Sequence, residues 1–259
     1  AGAQTSLTNV LATGAMRAIN ARSANLLGQV NVTGSLNSLS LNFVQAGNIT
    51  VGGGVGNGAL AVNLGRALDT SITSAIPISS LTAAAYLNTD NVPDLITAPA
   101  IGTIRVKGTF GGTQVVTASV ASVIVGGSIQ GSSVLANDRI GVVAALNGIS
   151  DSTFFAGIRT DLTGALPAST DDFVNKSAAI GRVYVRSGGF SNSLVAGWHV
   201  GALSLGNVQT VDGGSTFGVS GDRVAAVVGA FTDASPIHAV ELDDPTRSLV
   251  QSNFVVRSI

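Results

Sequence analysis

Read forward from a small residue that follows an apolar one, the chain keeps returning to one phrase. Gly28, Gly47, Gly102, Ala121, Gly141, Gly181 and Gly201 each open it. Two residues on stand Val30, Ile49, Ile104, Val123, Val143, Val183 and Leu203, and two further stand Val32, Val51, Val106, Val125, Ala145, Val185 and Leu205. Apolar residues at every second position mark a strand with one buried face. Six positions after the opening come Gly34, Gly53, Gly108, Gly127, Asn147, Ser187 and Asn207, residue types that let a chain bend sharply. Another apolar residue follows, as Leu36, Val55, Phe110, Ile129, Ile149 and, one place late, Phe190. A second strand-like stretch then recurs: Thr113-Gln114-Val115-Val116, Ser132-Ser133-Val134-Leu135, Ser152-Thr153-Phe154-Phe155 and Ser193-Leu194-Val195-Ala196.

The openings lie 19, 55, 19, 20, 40 and 20 residues apart, one coil each except where something intervenes. Short strands of period two, turns at fixed offsets and a coil of about 19 to 20 residues are what stacked three-sided coils require. The pattern therefore predicts an all-β chain forming a single domain over 1–259. Its fold is a parallel β-helix, or β-solenoid, taken as right-handed by prevalence. A β-sandwich would also show short strands with regular turns, but it has no reason to repeat one residue class at one offset.

Composition agrees. Hydrophobic residues are 45% of the chain and aromatics only 5%, with 33 glycines, so the core is built of small aliphatic side chains. Lys, Glu and Met are scarce while Val, Thr, Ser and Asn abound, which favours strands over helices. A net charge of −1 and the absence of any Lys/Arg run exclude the concentrated basic footprint that nucleic acid demands. No apolar run is long enough for a membrane helix. With no cysteine there are no disulfides, thiolate metal sites or thiol nucleophiles. The chain starts at Ala1, which suggests a mature or excised piece of a longer repeat protein.

The phrases Ile101-Gly102-Thr103-Ile104-Arg105-Val106-Lys107-Gly108, Val120-Ala121-Ser122-Val123-Ile124-Val125-Gly126-Gly127 and Ile180-Gly181-Arg182-Val183-Tyr184-Val185 resemble the coils of secreted bacterial β-helix repeat proteins. The resemblance covers about two thirds of the chain. It implies the fold and an extracellular or cell-surface setting, and it carries over no functional residue. That family holds adhesin-like stalks as well as glycan-cleaving enzymes, so fold alone does not decide function.

Two segments leave the pattern, about 63–99 and 157–179. Both depart about 16 residues after an opening, so both are expected to project from the same corner, three coils apart, about 14 Å along the axis. Side chains from both would line one groove. The candidate ligand-binding set there is Arg66, Asp69, Tyr86, Asp90, Asp94, Arg159, Asp161, Asp171, Asp172 and Lys176, loop residues on a rigid scaffold. The bland reading is that these acids are solvated, or serve as turn and cap residues. Calcium would suit Asp-rich loops, although neither Asp171-Asp172 nor Asp243-Asp244 sits in a known calcium loop. Adjacent residues of a strand face opposite ways, so neither pair is a ready-made acid–base dyad.

The remaining chemistry is thin. His199 and His238 are too few for a zinc site without cysteine, and no G-x-S-x-G elbow nominates a serine nucleophile. Trp198, the single tryptophan, would stack on a sugar or, more simply, cover packing. Gly52-Gly53-Gly54-Val55-Gly56 lacks the Lys-Ser/Thr of a phosphate loop. The stretch from Asp212 to Asp244 reads as coils in drifting register, with His238 at an opening and Val240 and Leu242 alternating.

The ends of a solenoid are open sheet edges, and neither terminus shows a helical cap; Phe254-Val255-Val256-Arg257 reads as another strand. The expectation is a non-enzymatic structural or adhesive surface protein, its ends stacking on further coils of a parent chain or on other copies of itself in a fibre or layer. The competing expectation is a carbohydrate-active β-helix that binds or cleaves polysaccharide along the shaft. Acidic glycan would need several Arg or Lys, and Arg105, Lys107, Arg182 and Arg186 form the one outward cluster that fits.

Overall fold

A computed structural model describes residues 5–54, 58–162, 164–210, 215–232, 236–237 and 248–259. The chain winds into a β-solenoid of about 11 turns, 68% strand and 1% helix. Each turn visits three parallel sheets. Sheet 1 is entered first in a turn, sheet 2 follows, and sheet 3 leads to the next turn.

Each sheet stacks one inward-pointing column. In sheet 1 it runs Ile19, Leu39, Val62, Leu81, Ile104, Val123, Val143, Val183, Leu203, Val227. In sheet 2 it runs Leu7, Leu26, Val44, Ala67, Tyr86, Phe110, Ile129, Ile149, Phe190, Val208, Phe231. In sheet 3 it runs Val10, Val30, Ile49, Ile72, Ile96, Val115, Val134, Phe154, Val195, Val219, Val256. Away from the first turn these side chains are buried, and burying each aliphatic one contributes roughly 1.5–3 kcal/mol. Val106, Val125, Ala145 and Val185 stack in the same way. The repeat is therefore a packing repeat, as the alternation predicts.

Two expectations need correcting. Gly28 and Gly47 stand at the entrance to sheet 3, because Val30 pairs with Ile49 there, whereas Gly102, Ala121, Gly141, Gly181 and Gly201 belong to sheet 1. The 55-residue interval is thus measured between different sides of the triangle. Accordingly, most of 63–99 is regular coil and not an insertion. Strands Leu60–Leu68, Ser71–Ser74, Ile78–Leu87 and Asp94–Ala98 pair in parallel with the turns before and after them. Only residues 88–93 bulge out of this stretch. Segment 157–178 does leave the coil, and it contains the one helix among the described residues, the 3-10 turn Thr170–Asp172.

The corner between sheets 2 and 3 is made by a two-residue device. Ala46, Asp69, Gly112, Gly131, Asp151 and Asn192 take positive φ there, the left-handed region that Gly, Asn and Asp tolerate best. After most of them comes a buried hydroxyl: Thr70, Thr113, Ser132, Ser152 and Ser193. Each donates to the carbonyl two residues back, as Ser152 does to Ser150 O at 2.7 Å and Ser193 to Ser191 O at 2.7 Å. The three serines also accept the N–H of the residue one turn earlier: Ser132 Oγ from Thr113 N at 3.3 Å, Ser152 Oγ from Ser132 N at 3.2 Å and Ser193 Oγ from Ser152 N at 3.0 Å. A serine ladder thus satisfies backbone groups that the bend would otherwise leave buried and unpaired.

The two ends differ. At the C-terminal end Ser248–Gln251 runs antiparallel to Phe254–Ser258, and Pro236–Ile237 runs antiparallel to the end of Arg223–Phe231. At the other end the outer edge of Thr5–Ala12 has no partner strand among the described residues. Leu7, Val10, Met16 and Ile19 of that first layer are only partly buried. No helix of the described residues is long and apolar enough to cross a membrane.

Candidate functional site

The ten residues expected to share a groove fall into separate places. Arg66 lies exposed on the outside of sheet 2, in register with Phe43 and Ala85. Asp69 is the left-handed corner residue of its turn, and its carboxylate accepts the backbone N–H and the hydroxyl of Thr89, the latter at 2.7 Å. The Thr89 hydroxyl, foremost, holds the Asp69 carboxyl below its ordinary range. Asp90 caps the 88–93 bulge by accepting Val92 N–H at 2.8 Å. Tyr86 is a core residue of sheet 2, its ring 5.9 Å from that of Phe110 and its hydroxyl donated to Thr70 O. Burial pushes its phenol well up, and the Asp94 charge adds to this.

Asp94 is the unusual member. It pairs in register with Thr113, so it occupies the rung of the ladder that Thr or Ser fills in neighbouring turns. Like Ser132, Ser152 and Ser193 further along, it accepts the backbone N–H one turn earlier, that of Thr70. Unlike them it cannot donate while ionised, and its Oδ2 is buried with no partner. Burial, then the charges of Asp69 and Asp90, raise its pKa to about 7 against the pull of the Thr70 N–H.

The other five residues lie on segment 157–178, which leaves at the opposite edge of sheet 3, the corner leading to sheet 1, three turns further along. Arg159 and Asp161 form an exposed ion pair. Asp172 accepts Ala168 N–H at 2.7 Å and Ser169 N–H at 3.0 Å, and these bonds hold its carboxyl low. Asp171 is exposed beside it. Lys176 places Nζ 5.1 Å over the Trp198 ring, against whose edge Phe173 packs at 5.4 Å. Trp198 therefore works as the packing post of the segment.

From this post the segment is pinned across sheet 3. Pro167 O accepts from Ser220 Oγ at 2.9 Å, and Leu166 O from Arg257 at 2.8 Å. The strands beneath, Leu194–Gly197 and Phe217–Gly221, are consequently buried at every position. One turn before the segment takes cover, a groove of about 390 Å³ opens on sheet 3. Val116, Leu135 and Phe155 form its floor, with Ile158, Arg159 and Leu162 as its wall. Asp69, Tyr86, Asp90 and Asp94 take no part in it.

A second surface gathers charge. No residue paired within sheet 1 is acidic, Asp138 standing just outside it beside Arg139, yet Arg17, Arg105, Lys107, Arg139, Arg182, Arg186 and Arg223 stand exposed on it or at its edges. That is seven of the 13 Lys and Arg in the chain. Sequence reasoning singled out four of them; Arg139 and Arg223 join because register brings them, through Ala179 and His199, into one row. A groove of about 570 Å³ lies at the edge toward sheet 2, with Arg105, Lys107, Tyr184 and Arg186 around it.

Among the described residues, no three His, Asp or Glu side chains converge as a metal ion needs. His238, Val240, Leu242, Asp212, Asp243 and Asp244 lie outside the described residues. Comparison with known proteins finds no matching family model, no matching curated protein and no matching solved structure.

Proposed function

We propose that the chain is a structural or adhesive rod of an extracellular or cell-surface setting, acting through its outer surfaces and through one of its two ends. The difference between the ends carries this reading. Antiparallel strands close the C-terminal edges of sheets 2 and 3, and reversed strands of this kind cannot continue a parallel coil. Among the described residues nothing pairs with the outer edge of Thr5–Ala12, whose apolar side chains are only partly buried, the combination that recruits another strand. A further coil of a parent chain or a second copy of this chain supplies that strand, and two copies of the 259-residue chain meet there head to head, a self-complementary contact that closes after two. Eleven turns at about 4.8 Å make each rod roughly 50 Å long, so the pair is about twice that. The extracellular setting is supported by the resemblance of the coil phrases to secreted repeat proteins.

Light scattering over a concentration series, with negative-stain imaging, tests this. The expected result is a monomer–dimer equilibrium with particles of doubled length. Val10→Lys, which sets a charge at an inward position of the edge strand, abolishes the dimer. A species that stays monomeric at all concentrations, or dimers indifferent to Val10→Lys, overturns the proposal.

A further inference from the structure

We infer that the groove on sheet 1 is a binding site for an acidic polysaccharide. This deepens the adhesive reading by giving the partner's chemistry, and it uses a surface that end-to-end association leaves free. The groove is built by register. Arg105, Ile124, Ala144 and Tyr184 stand at one position of four successive turns, and their side chains point outward. At the next outward position come Lys107, Gly126, Leu146 and Arg186. Two cations therefore mark one end, a cation and a tyrosine mark the other, and an uncharged floor of small and aliphatic residues joins them over three coil spacings, about 14 Å.

Every group suits a charged sugar chain. Tyr184 is 41% exposed and the floor beside it is apolar, so a pyranose can lay its C–H face upon them. The guanidinium and ammonium groups at the two ends then reach carboxylates or sulfates at the ring edges. These cations are available: the one ion pair among the described residues is Arg159–Asp161, on another face. Asp138 and Asp222, the acids beside the sheet 1 strands, stand at the far edge of that sheet, and Asp151 sits at the corner between sheets 2 and 3. The rest of the face carries only positive charge, which guides a long polyanion along the rod.

Spacing argues for glycan over nucleic acid. A duplex presents one charge per about 1.7 Å and rewards dense basic clusters. Here Lys107 and Arg186 are separated by two neutral turns, as befits a polymer with a charge on each ring or every other ring.

Affinity electrophoresis of the 259-residue chain through gels containing polygalacturonate, a sulfated glycan, a neutral β-glucan or duplex DNA decides the matter, run in parallel on the Val10→Lys background to remove end association. Retardation is expected by one or both acidic glycans, weakening with added salt, and none by the neutral one. Arg105→Ala and Arg186→Ala each weaken it roughly tenfold, and Tyr184→Ala weakens it without changing the salt dependence. Arg66→Ala, on sheet 2, leaves it unchanged. Passage of the wild-type chain unretarded through both acidic gels, stronger retention by DNA, or retention that survives the double Arg105→Ala/Arg186→Ala change in a chain of unaltered melting temperature overturns the inference.

Discussion

Asp94 shows what position in a stack does to one side chain. The rung it occupies needs a neutral group that both donates and accepts, and a carboxylate meets that need only when protonated. Its pKa in the folded chain, about 7, lies above the ordinary 3.8. The native state therefore keeps a proton that the unfolded state has released between those values. The contribution to stability is complete below about pH 4, declines as pH rises toward 7 and is gone above it, a difference on the order of 4 kcal/mol at most. Asp94→Ser restores a hydroxyl, so it should melt higher than wild type at pH 8 and close to it at pH 4. Equal melting temperatures at pH 8 would exclude the buried carboxylate. Burial alone separates a second pair of residues. Val123→Ala, in the centre of a buried column, should cost about 2–3 kcal/mol in chemical denaturation, whereas Val116→Ala, 38% exposed in the groove, should stay within about 0.5 kcal/mol.

For the individual elements, alternation made the strands legible but not their side of the triangle. Strands of sheets 1 and 3 both bring an apolar residue inward two positions after a small one, so Gly47 and Gly102 read alike. Only the partners, Ile49 with Ile72 and Ile104 with Val123, tell them apart. That slip turned the coils within 63–99 into an apparent insertion and joined Asp94 to residues on the opposite edge of sheet 3. Segment 157–178 was legible because it breaks the period outright. Its hold on the rod was not, since Ser220 and Arg257 lie 53 and 91 residues from the carbonyls they bind. Trp198→Ala removes the support of Phe173 and Lys176 and should loosen this segment alone. Hydrogen exchange should then rise across 158–178 and in the strand Phe217–Gly221 that it covers, while Val123 and Val143 stay protected. Uniform loss of protection would mean that the segment is part of the global folding unit.

Across the whole molecule, charge sorts by face more clearly than any motif in the sequence suggests. Among the described residues acids collect at the edges of sheet 3 and cations spread over sheet 1, and a net charge of −1 for the chain conceals the division. Sequence reading found the Arg105, Lys107, Arg182 and Arg186 cluster because an outward position can be counted from an inward one. It missed Tyr184 as a member because a lone tyrosine carries no pattern.

The vertical columns also make the turns interchangeable. Ser122 stands beside Val142 and Val123 beside Val143, so cutting out 122–141 would splice Ala121 to Val142 with every remaining neighbour still facing its own kind. The shortened chain should fold, one storey lower, with a circular dichroism spectrum of the same shape, whereas removing ten residues from the same place would set one side of the triangle upon another and leave no soluble product. A gene encoding such a molecule can lengthen or shorten it by unequal copying of a single period, without inventing any new contact.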